Sequence, residues 1–95
     1  MIFEWDPEKN KTNFQKHGIY FDEAETVFED IHALRIFDKE HSVDEERFII
    51  IGFSGKEREL MVCHCYKNGD EVIRIFSARR ATDKEKKQYA ERIGL

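Results

Sequence analysis

Residues 47–80, RFIIIGFSGKERELMVCHCYKNGDEVIRIFSARR, decide the fold. They hold three apolar, β-branched segments, Arg47–Phe53, Arg58–Tyr66 and Glu71–Arg79, separated by turn residues. The run Phe48-Ile49-Ile50-Ile51 suits a strand covered on both faces. Ser54–Glu57 reads as a short turn, and Asn68-Gly69 carries the signature of a two-residue hairpin loop. Those two loops set a register in which Arg58 faces Arg79, Leu60 faces Ser77, Val62 faces Ile75 and His64 faces Ile73. On the other side of the same strand, Ile51 faces Leu60 and Ile49 faces Val62. Side chains alternate, so Ile49, Ile51, Leu60, Val62, Ile73 and Ile75 form one apolar patch on which helices pack. The opposite face carries Met61, Cys63, Val72 and Phe76, too apolar to stay fully wet. Either a partner chain docks on Met61, Cys63 and Phe76, or the last helix folds over them.

Working outward, Ile2–Trp5 reads as a strand stub. Asp6, Pro7 and Glu8 open a helix as N-cap, first helical residue and first-turn acid, and Gly18 stops it just after His17. Asp22 with Glu25 is a candidate capping pair for a second helix whose apolar face is Phe21, Ala24, Val27, Phe28 and Ile31. Residues 33–37 read as a strand and 38–46 as a charged loop. Thr82 with Glu85 is a capping box opening a final helix that turns Tyr89 and Ile93 inward. The order is β-α-α-β-β-β-β-α, an antiparallel α+β domain.

The 95 residues suffice for one domain, and the single Pro and five scattered Gly mark no linker, so residues 1–95 are expected to form one unit. Eight Phe, three Tyr and one Trp supply a core despite 38% charged residues. No apolar run approaches the roughly 18 residues of a membrane span, and two Cys cannot build a disulfide framework. The expectation is a soluble cytoplasmic protein with no membrane partner. The net charge of −4 argues against indiscriminate nucleic-acid binding. It conceals an asymmetry, because residues 1–46 carry 5 basic and 13 acidic side chains while residues 47–95 carry 11 basic and 7 acidic. Such a split suggests a polyanionic partner for the second half, against the plainer reading of two solvated surfaces.

Like charges directly opposite across a strand pair are unfavourable. The inferred Arg58–Arg79 pair therefore calls for acidic partners, Glu57 being the nearest, or for an anionic ligand. Lys56 and Arg80 lie at the same sheet end, beside the last helix's N-terminus, so the functional reading is a phosphate seat, which Lys84 would extend along its helix. Cys63-His64-Cys65 does not make a metal site, since alternation puts His64 on the face opposite the two Cys; no metal and no cofactor are expected. His17 is placed to cap its own helix's last carbonyls.

Phe3-Glu4-Trp5-Asp6, Lys16-His17-Gly18-Ile19 followed by Phe21 and Glu23-Ala24, Arg74-Ile75-Phe76-Ser77-Ala78-Arg79, and Glu85 before Tyr89 resemble the BrnT toxins of type II toxin–antitoxin systems. The resemblance runs in order through nearly the whole chain. It implies a RelE-like fold and a ribonuclease that halts translation by cutting RNA. It also implies neutralisation by a BrnA-type antitoxin in a hetero-oligomer, expected as 2:2, that reaches operator DNA only through the antitoxin. Functional weight falls by resemblance on His17, Arg74 and Arg79. The side chains suit metal-independent scission, in which the 2′-hydroxyl attacks the adjacent phosphate and leaves a 2′,3′-cyclic phosphate. Arg58 and Arg79, helped by Lys56 or Arg80, would stabilise the phosphoryl oxygens. Glu57, His17 and Tyr89 are unranked candidates for moving protons. The competing reading is a non-catalytic protein- or nucleic-acid-binding module.

Overall fold

The computed structural model describes residues 1–94. It contains β1 (Ile2–Glu4), α1 (Pro7–His17), α2 (Phe21–Thr26) running into a 3-10 turn (Val27–Glu29), β2 (Leu34–Phe37), β3 (Phe48–Phe53), β4 (Glu59–Lys67), β5 (Val72–Arg80) and α3 (Asp83–Arg92). The strands form one sheet in the order β1-β5-β4-β3-β2. Strands β2 to β5 are antiparallel neighbours, whereas β1 runs parallel to β5 with Phe3 beside Ile73. The sheet is therefore mixed, not antiparallel throughout. The long chain segment between β1 and β5 imposes no hairpin and so leaves either direction open.

Two helices start and stop as their sequences dictate. In α1, the Asp6 carboxylate accepts the Glu8 N–H, Pro7 occupies the first turn, and Gly18 at φ 71° donates its N–H to Phe14 O. At α3, Thr82 and Glu85 form the reciprocal capping box. The start of α2 differs. Its N-cap is Tyr20, and Asp22 lies inside the first turn, where it accepts only from Glu23 N, so the Asp22–Glu25 capping pair does not form. The Phe21 N–H is instead taken by Asn10 Oδ1 of α1 at 2.7 Å, so a neighbouring helix supplies what the local sequence does not. Asn13 does the same for the sheet. Its amide accepts from Ala78 N at 3.1 Å and donates to Ala78 O and Ile19 O at 2.8 Å, closing the β5 edge beyond the short β1.

One sheet face buries Ile50, Leu60, Val62, Ile73, Ile75 and Ala78 against Ile19, Phe21, Ala24 and Val27. Gly52 permits this close packing, because a Cβ there would stand 2.9 Å from Asp30 Oδ2 and 3.1 Å from Ala33 Cβ. The other face buries Ile51 and Met61 beneath Tyr89, with Ile36, Ile49, Cys63 and Ile93 around them. Ile49 and Ile51 thus belong to the second face, because the β3–β4 register differs by one residue from that expected: Ile50 pairs with Val62 and Ile51 with Met61. The chain's own α3 is what covers Met61, leaving it 7% exposed and unable to serve as an exposed docking residue. Ile31 falls beyond α2 at 87% exposure and takes no part in its apolar face.

His64 lies fully buried among Phe28, Phe48 and Tyr66, its Nδ1 3.1 Å from Val62 O. A carbonyl only accepts, so Nδ1 carries a proton. Burial drives its pKa down to about 4, with the Val62 bond opposing and Arg35 assisting. The unfolded chain then binds an extra proton between about pH 6.5 and pH 4, so this residue makes stability fall as pH drops through that window. We expect a loss of ~2 kcal/mol between pH 7 and pH 5 that His64→Phe abolishes, read by urea unfolding at both pH values. An equal pH slope in wild type and variant would contradict this origin.

Candidate functional site

The β4–β5 register decides which charges meet. Lys67 pairs with Val72, so residues 68–71 all lie in the connection, and Asn68, Gly69 and Asp70 have φ of 50°, 61° and 73°. Three successive left-handed residues make a longer loop than the two-residue turn that Asn-Gly suggests. A bulge between Cys63 and His64 on the partner side then leaves Phe76 unpaired on β5. Leu60 consequently faces Arg80 and Met61 faces Arg79. Arg58 and Arg79 do not stand opposite one another; they lie on opposite faces of the sheet, each held by its own carboxylate. The expected face-to-face guanidinium pair is therefore corrected.

Arg58 reaches Glu23 on α2. Its Nε donates to Glu23 Oε2 at 2.9 Å, its Nη2 donates to Oε1, and Nη2 also reaches Gly18 O at 3.3 Å. The Glu23 side chain is 4% exposed and also accepts from the Ser54 hydroxyl at 2.7 Å. Burial alone would raise its pKa, but the Arg58 and Ser54 hydrogen bonds outweigh it and hold the carboxylate below its usual range. This is a clasp tying α2 to the β3–β4 turn. Glu57, at φ 60°, and Lys56 sit exposed in that turn; Glu23, not Glu57, neutralises Arg58. Arg80 is exposed on the same face as Leu60, away from Arg79.

On the other face, Arg79 Nη1 and Nη2 donate to Glu85 Oε1 and Oε2 at 2.8 and 2.9 Å, and Nη1 also reaches Arg80 O at 3.1 Å. A guanidinium has five N–H donors, so two have no acceptor among the described residues. Glu85 is pushed up by burial but held low by Arg79 and the Thr82 N–H. Arg74 shares this face and stands 3.6 Å from Glu4; Lys84 is exposed on α3. The Tyr89 hydroxyl is bound to Asp30 at the end of the 3-10 turn. It donates to Oδ2 at 2.8 Å, and burial with that bond lifts the Tyr89 pKa to about 12.

A groove of about 370 Å³ runs between α1 and β5, lined by Glu8, Lys9, Thr12, Asn13, Lys16, His17, Phe76 and Ser77. Helical spacing stacks Lys9, Thr12 and Lys16 on one wall. Asn13 fixes that wall to the strand, and Ser77 leads two residues on to Arg79 along the same side of β5. His17 also lines this groove, while Gly18 N–H does the capping expected of it. Arg47, at the entry to β3, lies 4.1 Å from the Phe76 ring centroid and 3.4 Å from Glu45. Lys9, Lys16, Arg47 and Ser77 were not among the site residues expected from the sequence, although Lys16 and Ser77 stand in stretches that carry the family resemblance. The seven-residue interval between Lys9 and Lys16 was a usable signal, whereas Arg47 is brought in only by the sheet.

Fold and groove together define a class: a small α+β protein with a five-stranded mixed sheet and a cation-lined cleft between its first helix and last strand. A family model described as "Ribonuclease toxin, BrnT, of type II toxin-antitoxin system" matches residues 5–85, and the chain belongs to that BrnT family. The crystal structure of the Brucella abortus ribonuclease toxin BrnT is similar over 87% of this chain and 100% of its own, with a TM-score of 0.65 and 24% identity, and shares the fold. No curated protein matches this sequence.

Proposed function

We propose that this chain is an endoribonuclease that cuts RNA without a metal in the groove between α1 and β5, and that it thereby inhibits translation. Membership in a family of ribonuclease toxins supplies the reaction class. The observation that carries the site is the convergence of Lys9, Lys16 and His17 of α1 with Ser77 of β5. Arg79, two residues beyond Ser77 on the same strand face, completes it.

In this reading Arg79 presents its two free donors to a non-bridging phosphoryl oxygen, and Lys16 adds a second positive charge. His17 removes the 2′-hydroxyl proton as the oxygen attacks phosphorus. The bond to the 5′-oxygen breaks, leaving a 2′,3′-cyclic phosphate on one fragment and a 5′-hydroxyl on the other once a proton is returned. Arg58, Glu57, Lys56 and Tyr89 have no part in the chemistry. Arg74 and Lys84 steer RNA, and Arg80 lies outside the groove. A BrnA-type antitoxin neutralises the protein in a hetero-oligomer and alone contacts operator DNA.

Incubating the purified protein with ribosome-free RNA in EDTA, and with ribosome-bound RNA in magnesium buffer, tests the reading. Fragments ending in 2′,3′-cyclic phosphate are expected. Binding without scission in both settings would favour a non-catalytic module.

A further inference from the structure

We propose that Phe76 is a nucleobase-stacking platform that makes the groove selective for single-stranded RNA. The proposal rests on the nuclease reading for the identity of the ligand, but its geometry is independent of that reading. Phe76 is the residue the β-bulge leaves without a partner on β4. Bulges leave a residue unpaired at the sheet surface, and this phenylalanine belongs to neither buried apolar cluster. A half-buried phenylalanine serving neither core has another use for its ring.

The ring's surroundings say what that use is. Arg47 Cζ stands 4.1 Å and Lys9 Nζ 5.5 Å from its centroid, and the ring helps line the groove beside Ser77. An aromatic face between two cations suits a nucleotide, whose base is a flat π-system and whose phosphates are anionic. A base stacks on the Phe76 ring and displaces the looser Lys9 contact. Lys9 swings on its flexible stem to a flanking phosphate, and Arg47 takes the other. Bases paired inside a duplex cannot reach the ring, so the platform selects unpaired RNA. Stacking tolerates every base, so selectivity is for strandedness more than for sequence.

The test uses a short single-stranded 2′-fluoro RNA, which cannot attack its own phosphate, carrying one 2-aminopurine, and the same strand with an abasic position instead. Wild-type protein is expected to quench 2-aminopurine on binding and to bind the abasic strand ~10-fold more weakly. Phe76→Leu is expected to lose the quenching and bind both strands alike, with an unchanged melting midpoint, while Phe76→Tyr restores quenching. The abasic comparison in wild type stands even if the leucine variant fails to fold. Equal wild-type affinity for both strands overturns the platform and leaves the nuclease reading intact. Binding of neither strand overturns the platform as well, and the nuclease reading then stands or falls on cleavage of ribosome-bound RNA.

Discussion

Arg58→Ala is expected to lower stability by ~3 kcal/mol and the melting midpoint by at least ~12 °C, with cleavage per folded molecule unchanged. The substitution strands the Glu23 carboxylate, whose side chain is 4% exposed, with the Ser54 hydroxyl as its remaining side-chain donor. Removing one partner of a buried pair costs more than the pair contributes, because the surviving charge stays desolvated. Arg58 is itself 29% exposed, which places the loss at the lower end of the ~3–5 kcal/mol that breaking a buried pair costs. Adding Glu23→Gln should restore part of the midpoint, since glutamine keeps the Ser54 bond without a charge. Circular dichroism melting of the two variants reads the effect. A wild-type midpoint combined with lost RNA cleavage would return Arg58 to the phosphate seat.

Why the sequence points to Arg58 and Arg79 together, while the fold separates them, is a matter of parity. Strand positions were legible because β-branched runs and turn residues bracket them, and the caps at Asp6, Gly18 and Thr82 were legible because capping is local chemistry. Register is not local. The Asn68-Gly69 pair suggests two loop residues, yet Asp70 also adopts positive φ, and four residues lie between Lys67 and Val72. The bulge at Phe76 adds one more step, which no residue in Arg74–Arg79 announces. Together they move the partner of Leu60 from Ser77 to Arg80, an odd displacement that sends Arg79 to the opposite face. The same slip hid the groove. His17 and Phe76 were each noted, for a cap and for a docking face. Their common wall depends on Asn13 binding Ala78, 65 residues away.

Arg79→Ala is expected to slow RNA cleavage by ~10²-fold, the cost of removing one donor from charge developing in the transition state. Stability should fall by no more than ~1 kcal/mol, because the Arg79–Glu85 pair is partly solvated. After the substitution Glu85 still accepts the Thr82 N–H at 2.9 Å and keeps α3 capped. Single-turnover rates with saturating protein separate chemistry from binding, and spectra of each variant separate it from unfolding. Arg79→Lys sharpens the comparison. Lysine keeps the positive charge but lacks the planar fork that holds two Glu85 oxygens while leaving two N–H groups free, so most of the rate should stay lost. The double variant Arg79→Ala/Arg58→Ala should combine the stability loss of one with the rate loss of the other, since the two arginines occupy opposite faces and share no partner. Wild-type cleavage by folded Arg79→Ala would remove the phosphate contact from β5 and leave only the α1 wall to supply it.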